Sequence, residues 1–225
     1  MTENKIELMS KRHSVRNYSD QVISDEMIEK MQIMIKECNQ KSGLSIQLIQ
    51  NEPKAFDSFM AHYGKFQGVS NYIALIGKKG KDMEEICGYY GEKIVLYATE
   101  LGLQTCWVYS TYKKVKSAMK IAEGEKIHII ISLGYGVNEG VLHKSKEASQ
   151  ISNLDSNSPE WFKNGIQAVL LAPTGMNKQG FYFEHVKDQE NTIRAKRGIG
   201  PCAYFDLGIA KYHFELGAGQ SVTFV

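Results

Sequence analysis
The sequence predicts an α+β fold with an internal duplication, and three observations carry that reading. Four stretches, 25–40, 82–101, 159–172 and 204–217, hold apolar residues at helical spacing. Short β-prone runs at 44–48, 72–76, 105–109, 127–133 and 181–186 lie between them. Placing residues 89–103 over 204–218 pairs Tyr89 with Tyr204, Ile94 with Ile209 and Tyr97 with Tyr212, and then Glu100 with Glu215, Leu101 with Leu216 and Gly102 with Gly217. Ordinary composition would give roughly one identity over such a length.

Taken in order, the first helix starts where Ser24 can cap it and where Asp25 and Glu26 meet the positive end of its dipole. Ile28, Met31, Ile35 and Cys38 form its apolar stripe, ending near Gln40. Leu44, Ile46 and Leu48 alternate with polar residues, as a strand buried on one face does, and Pro53 closes that run. A short helix is expected over 54–61, then a buried strand over 72–76 and a turn at Gly77-Lys78-Lys79-Gly80.

From Asp82 the positions Ile86, Tyr90, Ile94, Tyr97 and Leu101 step by about one turn, and Gly102 supplies a C-cap. Strands follow at 105–109 and 127–133, with a basic helix expected over 113–121 between them; Gly134-Tyr135-Gly136 ends the second strand. In the second half, Ser158 as cap and Pro159 at the first helical position start a helix that runs to Ala172, where Pro173 stops it. A loop dense in hydrogen-bonding groups follows, then a strand over 181–186 and a last helix over 204–217. The division is therefore 1–140 as a first half, 141–158 as a connecting segment rich in Ser, Asn and Lys, and 159–225 as an abbreviated second half.

Composition narrows the classes of function. At 225 residues the chain can bury roughly 70% of its unfolded surface, and 43% hydrophobic with 23% charged residues is ordinary for a folded protein. A net charge of +2 argues against nucleic acid or an acidic membrane as the main partner. Cys38, Cys87, Cys106 and Cys202 are widely spaced, with no metal-ligand pattern, and read as reduced, mostly buried thiols. The N-terminal residues lack the apolar core of a signal peptide and no run of 18 apolar residues occurs, so a cytoplasmic chain is expected.

Two stretches carry candidate chemistry. Arg12-His13-Ser14-Val15-Arg16 sets two guanidinium groups and a hydroxyl within five residues, a donor set that matches phosphate oxygens. Only the first half has it. The second half alone has Thr174-Gly175-Met176-Asn177-Lys178-Gln179-Gly180 after its first helix, so each half holds part of a site that neither completes. His62, His128, His185 and His213 have no partner pattern and read as structural or surface residues. Tyr89, Tyr90, Tyr97, Trp107, Tyr204 and Tyr212 read as core aromatics.

The Arg12 cluster, the helix end Ala98-Thr99-Glu100-Leu101-Gly102-Leu103-Gln104-Thr105-Cys106-Trp107 and the strand end Leu133-Gly134-Tyr135-Gly136 resemble the FMN-dependent nitroreductase family in order and spacing. Ala172-Pro173-Thr174-Gly175-Met176-Asn177-Lys178-Gln179 resembles that family's Pro-Ser-x-x-Asn-x-Gln motif. Here it is displaced to follow the other motifs, with Thr174 for the usual Ser and Gly180 for the usual Pro. The resemblance implies an α/β sandwich with an antiparallel sheet core flanked by helices. Together with the repeat, the displaced motif implies a fused pseudo-dimer, similar to the duplicated nitroreductases, with one FMN per chain. Such a unit would be monomeric or would itself pair.

By position, the resemblance implies that Arg12 and Ser14 hold the phosphate and ribityl end and that His13 presents backbone groups. Arg16 would lie near the pyrimidine edge of the flavin, and Lys144 and Lys146 on the phosphate. Pro173, Thr174, Gly175 and Asn177 would pack against and hydrogen-bond the isoalloxazine. The implied activity is a ping-pong transfer of hydride from NAD(P)H through flavin to a nitroaromatic, quinone or similar small acceptor. No side chain is expected to act as acid or base. No Gly-x-Gly-x-x-Gly fingerprint occurs, so nicotinamide would bind only transiently. The alternative is a flavin-binding sensor or storage protein without turnover.

Overall fold
The computed structural model describes residues 2–225 and divides into two compact units, each assembled from separate pieces of chain. One unit comprises 12–83 and 93–141; the other comprises 1–11, 84–92 and 142–225.

The first of these is built on a four-stranded antiparallel sheet in the order β1-β2-β4-β3, where β1 is Gln47–Ile49, β2 Asn71–Lys78, β3 Gln104–Val108 and β4 Glu125–Gly134. The central strands are continuous apolar runs because both their faces are covered: Tyr72 to Ile76 and Ile127 to Leu133 are buried throughout. A register shift between Leu75 and Ile76 marks a bulge in β2. Helix α2, Asp25–Ser42, buries Ile28, Met31, Ile35 and Cys38, the stripe read from the sequence. Its N-terminus is capped by the Ser24 hydroxyl, which accepts from Met27 N–H at 3.4 Å, and its C-terminus by Gly43 at φ 70°.

Two segments of this unit differ from expectation. The helix expected over 54–61 resolves into a 3₁₀ turn, Pro53–Ala55, and a separate short helix α3, Phe59–Tyr63, because Glu52 caps the first and Ser58 caps the second. The basic helix expected over 113–121 does not form; only a 3₁₀ turn, Lys116–Ala118, is present. Tertiary partners take the backbone groups that a helix would need. Lys113 N–H donates to Ala55 O at 2.7 Å, and both Lys120 N–H and Lys120 O are bound by the Gln47 side chain.

The other unit holds α1 (Thr2–Lys11), which the sequence pattern did not announce, with α5 (Ala148–Ile151), α6 (Glu160–Val169) and α7 (Ala203–Ala218). It also holds a three-stranded sheet in the order β5-β6-β7, with β5 at Phe181–His185, β6 at Thr192–Arg197 and β7 at Thr223–Phe224. Pairing of β5 with β6 is antiparallel and of β6 with β7 parallel. Helix α6 begins one residue later than expected: Pro159 is the cap, and the Ser158 hydroxyl instead serves Asp155, accepting from its N–H at 3.0 Å. The stretch expected to be a linker carries α5, whose start is fixed by a reciprocal Glu147 and Gln150 capping box.

Helix α7 is buried almost all round. Phe214 stacks on Phe183 with ring centroids 5.4 Å apart and approaches Phe162 at 5.8 Å. Helix α4, Asp82–Glu100, is a single element whose residues 84–92 belong to this unit and 93–100 to the other. Residues 84–92 cross α7 through two glycines in a reciprocal way. A Cβ on Gly88 would meet Phe205 O at 2.2 Å, and one on Gly208 would meet Glu85 O at 2.0 Å. Gly88 thus answers Gly208, whereas the sequence repeat sets Gly88 against Ala203. Beyond the crossing, His213 and Glu92 form a fully buried pair, Nε2 to Oε1 at 2.9 Å, while His213 Nδ1 donates to Ala168 O at 3.0 Å. No described helix is long and apolar enough to cross a membrane.

Candidate functional site
Arg12 follows the end of α1, and the cluster it opens is drawn onto the sheet edge by backbone pairing. Ser14 bridges Thr105 in parallel, Val15 N–H donates to Thr105 O at 3.0 Å, and Tyr18 bridges Gly136. The cluster therefore lies where β3 begins and β4 ends. Gly136 N–H donates to Gln104 Oε1 at 2.8 Å, which ties the two strand ends together.

There the Ser14 hydroxyl hydrogen-bonds the Cys106 thiol, and Arg12 and Arg16 lie near enough to act on it by charge. Burial pushes that thiol's pKa up; the Arg16 charge, a hydrogen bond with the Ser14 hydroxyl and the Arg12 charge act in the opposite direction. Arg12 is 4% exposed, which is unusual for an arginine, and Arg16 is exposed. Arg16 lies over the Phe66 ring at 5.9 Å, and its carbonyl accepts from Gln67 N–H at 2.9 Å. A cavity of about 410 Å³ is lined by Phe56, His62, Phe66 and Gln67 among others. His13 Nδ1 donates to Glu139 O at 2.9 Å, and Gly140, at φ 73°, passes so close that a Cβ there would meet His13 Cβ at 2.8 Å. The chain after β4 is thereby held against the cluster.

In the other unit the structure gathers Lys144, Lys146, Thr174 and Asn177 around Gln179, which is 3% exposed, with Pro173 and Gly175 in the same loop. Gln179 Oε1 accepts from Lys146 N–H at 2.8 Å, and its Nε2 donates to Lys144 O and to Asn177 Oδ1, both at 2.9 Å. Its backbone joins in: Gln179 N–H donates to Thr174 Oγ1 at 3.0 Å, and Gln179 O accepts from Lys146 Nζ at 3.0 Å. Asn177 Nδ2 also donates to Lys144 O at 2.9 Å.

This network holds a strained backbone. Met176, Asn177 and Gln179 have φ of 55°, 54° and 45°, conformations that side chains other than glycine rarely adopt. Pro173 is buried at the base of the loop and Met176 stands 90% exposed at its tip.

The loop has one more anchor, which the sequence reading missed. Asp206, buried in the first turn of α7, accepts from Gly175 N–H at 2.8 Å. Burial raises its pKa to about 6, against the opposing effects of the Gly175 hydrogen bond and the Lys178 charge. Cys202 packs so closely on Gly175 that a Cβ there would meet its own at 2.8 Å. The signal for Asp206 was its place as the lone acid in Ala203-Tyr204-Phe205-Asp206-Leu207-Gly208-Ile209-Ala210. An acid inside an apolar helical run needs a partner. Among the described residues, no group of three or more His, Cys, Asp or Glu side chains could hold a metal ion.

Comparison with known proteins agrees with this fold. The model of a protein family described as "Putative TM nitroreductase" matches residues 4–218. No curated protein matches the chain. Among solved structures, a putative nitroreductase from Thermotoga maritima is similar over 95% of this chain and 82% of its own, at 20% identity and a TM-score of 0.66. A putative NADH oxidase from Clostridium acetobutylicum covers 64% of this chain and 96% of its own, at 20% identity and a TM-score of 0.51. A putative NADH dehydrogenase/NAD(P)H nitroreductase from Bacteroides thetaiotaomicron covers 66% and 95%, at 17% identity and a TM-score of 0.52. At these identities the likeness is one of fold.

Proposed function
Because the chain belongs to the TM nitroreductase family, we propose that it is an FMN-dependent oxidoreductase passing hydride from NAD(P)H to a nitroaromatic, quinone or similar small acceptor. The observation that carries this reading is the placement of the Arg12–Arg16 segment at the ends of β3 and β4, fixed by the Ser14 bridge to Thr105 and the Tyr18 bridge to Gly136. The Arg12 guanidinium and the Ser14 hydroxyl fit the phosphate and ribityl end of FMN, and the Arg16 charge fits the pyrimidine edge. The Pro173–Gln179 loop fits the ring: its backbone is held in one shape by hydrogen bonds to the Asp206 and Thr174 side chains and by the Asn177–Gln179 side-chain pair.

Bound FMN would supply the ring that takes up and hands on hydride. The chain's own residues bind and orient it. Arg12 and Ser14 hold the phosphate and ribityl chain, His13 presents backbone groups, and Arg16 sets a positive charge at the pyrimidine edge. Lys144 and Lys146 add charge toward the phosphate; Lys146 already donates one N–H to Gln179 O, and an ammonium group has three. Pro173, Thr174, Gly175 and Asn177 line the ring, and no side chain of the set is given acid or base work.

One FMN per chain follows from reading the chain as a fused pair of related halves. One observation supports that reading: the putative NADH oxidase is covered over 96% of its own length by only 64% of this chain.

The test is flavin content. Freshly purified protein should be yellow, with close to one FMN per chain after denaturing release, and should oxidise NADH faster when a quinone is added. Arg12→Ala and Arg16→Ala should each weaken FMN binding by about 10- to 100-fold, as loss of a charge-assisted contact does. Unchanged affinity in both variants would sink the site assignment. Flavin retained without NADH oxidation would point to a sensor or storage role.

A further inference from the structure
The Pro173–Gln179 loop is held at two places that differ in chemistry. Toward its end, Gln179 ties Lys144, Lys146, Thr174 and Asn177 together through amide, hydroxyl, ammonium and backbone groups, with no carboxylate in the network. Toward its start the anchor is an acid: Asp206 Oδ1 accepts from Gly175 N–H at 2.8 Å.

Of the two partners in that bond, the loop is the one that can give way. Helix α7 is buried almost all round, Gly208 leaves no room for a methyl group against Glu85 O, and Asp206 N–H is bound to Cys202 O at 2.8 Å. The loop instead carries Met176, Asn177 and Gln179 at positive φ, a strain that opening would relieve, and Met176 stands exposed at its tip.

The closed loop keeps water from Asp206, which is 7% exposed. A Cβ on Gly175 would lie 3.7 Å from Asp206 Oδ1 and 3.0 Å from Cys202 Sγ. Lys178 of the loop favours the carboxylate, as does the Gly175 bond, but burial outweighs both and lifts the pKa of Asp206 from 3.8 to about 6. The Cys202 thiol is pushed up to about 11 by burial, then by Asp206, with Glu84 of α4 acting in the same sense and Lys178 against it. Glu85 of α4 is paired with Lys211, and Arg197 of β6 lies over the Tyr204 ring at 4.3 Å. A carboxyl whose pKa is raised by closure supports closure fully below about pH 4, and that support is lost as the pH rises through about 6.

We infer that Asp206 is a pH-dependent latch on this loop: uncharged, it keeps Gly175 and the loop closed; charged, it draws water in, so that the loop opens and holds the flavin more weakly. The inference rests on the reading of this loop as the one that packs against the isoalloxazine. Asp206 acts through Gly175 and is a positioning residue.

The test starts with the flavin-free full chain, in which exchange of the Gly175 amide is followed by NMR relative to an unstructured peptide at the same pH. Protection should fall by about 10- to 100-fold between about pH 4.5 and about pH 7.5 in the wild type. It should stay level in Asp206→Asn, whose amide oxygen accepts the same N–H without a charge. FMN affinity is then titrated by quenching of flavin fluorescence at both pH values. The phosphate of FMN itself titrates near about pH 6, so the quantity read is the ratio of wild-type to Asp206→Asn Kd, which should rise by about tenfold or more over that range. Should the asparagine variant not fold, the Gly175 amide shift of the wild type reads the same proton: a midpoint near about 6 supports the latch, and one at the ordinary 3.8 overturns it. Level protection in the wild type, or bound FMN with a constant Kd ratio, would overturn the latch alone. Protein that takes up no FMN at either pH would sink the functional reading and the latch with it.

Discussion

At the scale of single residues, Asp206 shows how a side chain outside the recognised motif shapes the site. Its carboxylate fixes Gly175, yet burial makes its ionised form costly and lifts its pKa from 3.8 to about 6. The folded protein therefore holds this proton to higher pH than the unfolded chain does. The resulting stability is fully present below about pH 4 and is lost as the pH rises through about 6. Two pH units correspond to about 3 kcal/mol. Asp206→Asn has no proton to lose, so between pH 4 and pH 7 its unfolding free energy should gain about that much on the wild type, as read by urea denaturation. Gln179→Ala should cost about 1–3 kcal/mol, because it strips side-chain partners from Lys146 N–H, Lys144 O and Asn177 Oδ1; the same variant should hold FMN more weakly. The motif residues were legible because Pro, Thr, Gly and Asn stand at motif spacing in one short stretch. Asp206 was not, because its partner Gly175 lies on a loop far earlier in the chain, and only the fold brings them together.

At the scale of elements, glycine decides where helices cross. Gly88→Ala or Gly208→Ala would drive a methyl group to within 2.2 or 2.0 Å of a backbone carbonyl, and backbone cannot step aside as a side-chain end can. Each should cost about 1–3 kcal/mol or more. The measurement is the shift in urea midpoint, with Gly102→Ala, whose Cβ would meet nothing within 4 Å but whose φ is 80°, as a strained but uncrowded comparison. A different device holds α4, α6 and α7 together nearby: His213→Leu would leave Glu92 buried without its imidazole and should cost about 3–5 kcal/mol in the same assay. The elements that sequence revealed were those whose local pattern and tertiary environment agree, such as α2 with its Ser24 cap and its stripe from Ile28 to Cys38. The helix over 113–121 failed because Gln47 and Ala55 claim its backbone groups, a competition no local window contains. Strand β6 was passed over because Arg194, Lys196 and Arg197 mask its alternation; Arg194 and Lys196 pair with Glu184 on β5, at 3.0 and 3.2 Å.

At the scale of the whole molecule, neither compact unit is a contiguous stretch of sequence. Unit 12–83 with 93–141 has its complete chain once residue 141 has left the ribosome, and its strands pair over modest separations. The other unit needs residues 2–11, made before any strand of the sheet, and α7, made after all of them. During synthesis at about 5–20 residues per second, α1 must therefore wait for α7 while the whole of the first unit is made. A chain truncated anywhere before α7 leaves that unit unable to close, while the sheet carrying Arg12, Ser14 and Arg16 already has every strand it needs.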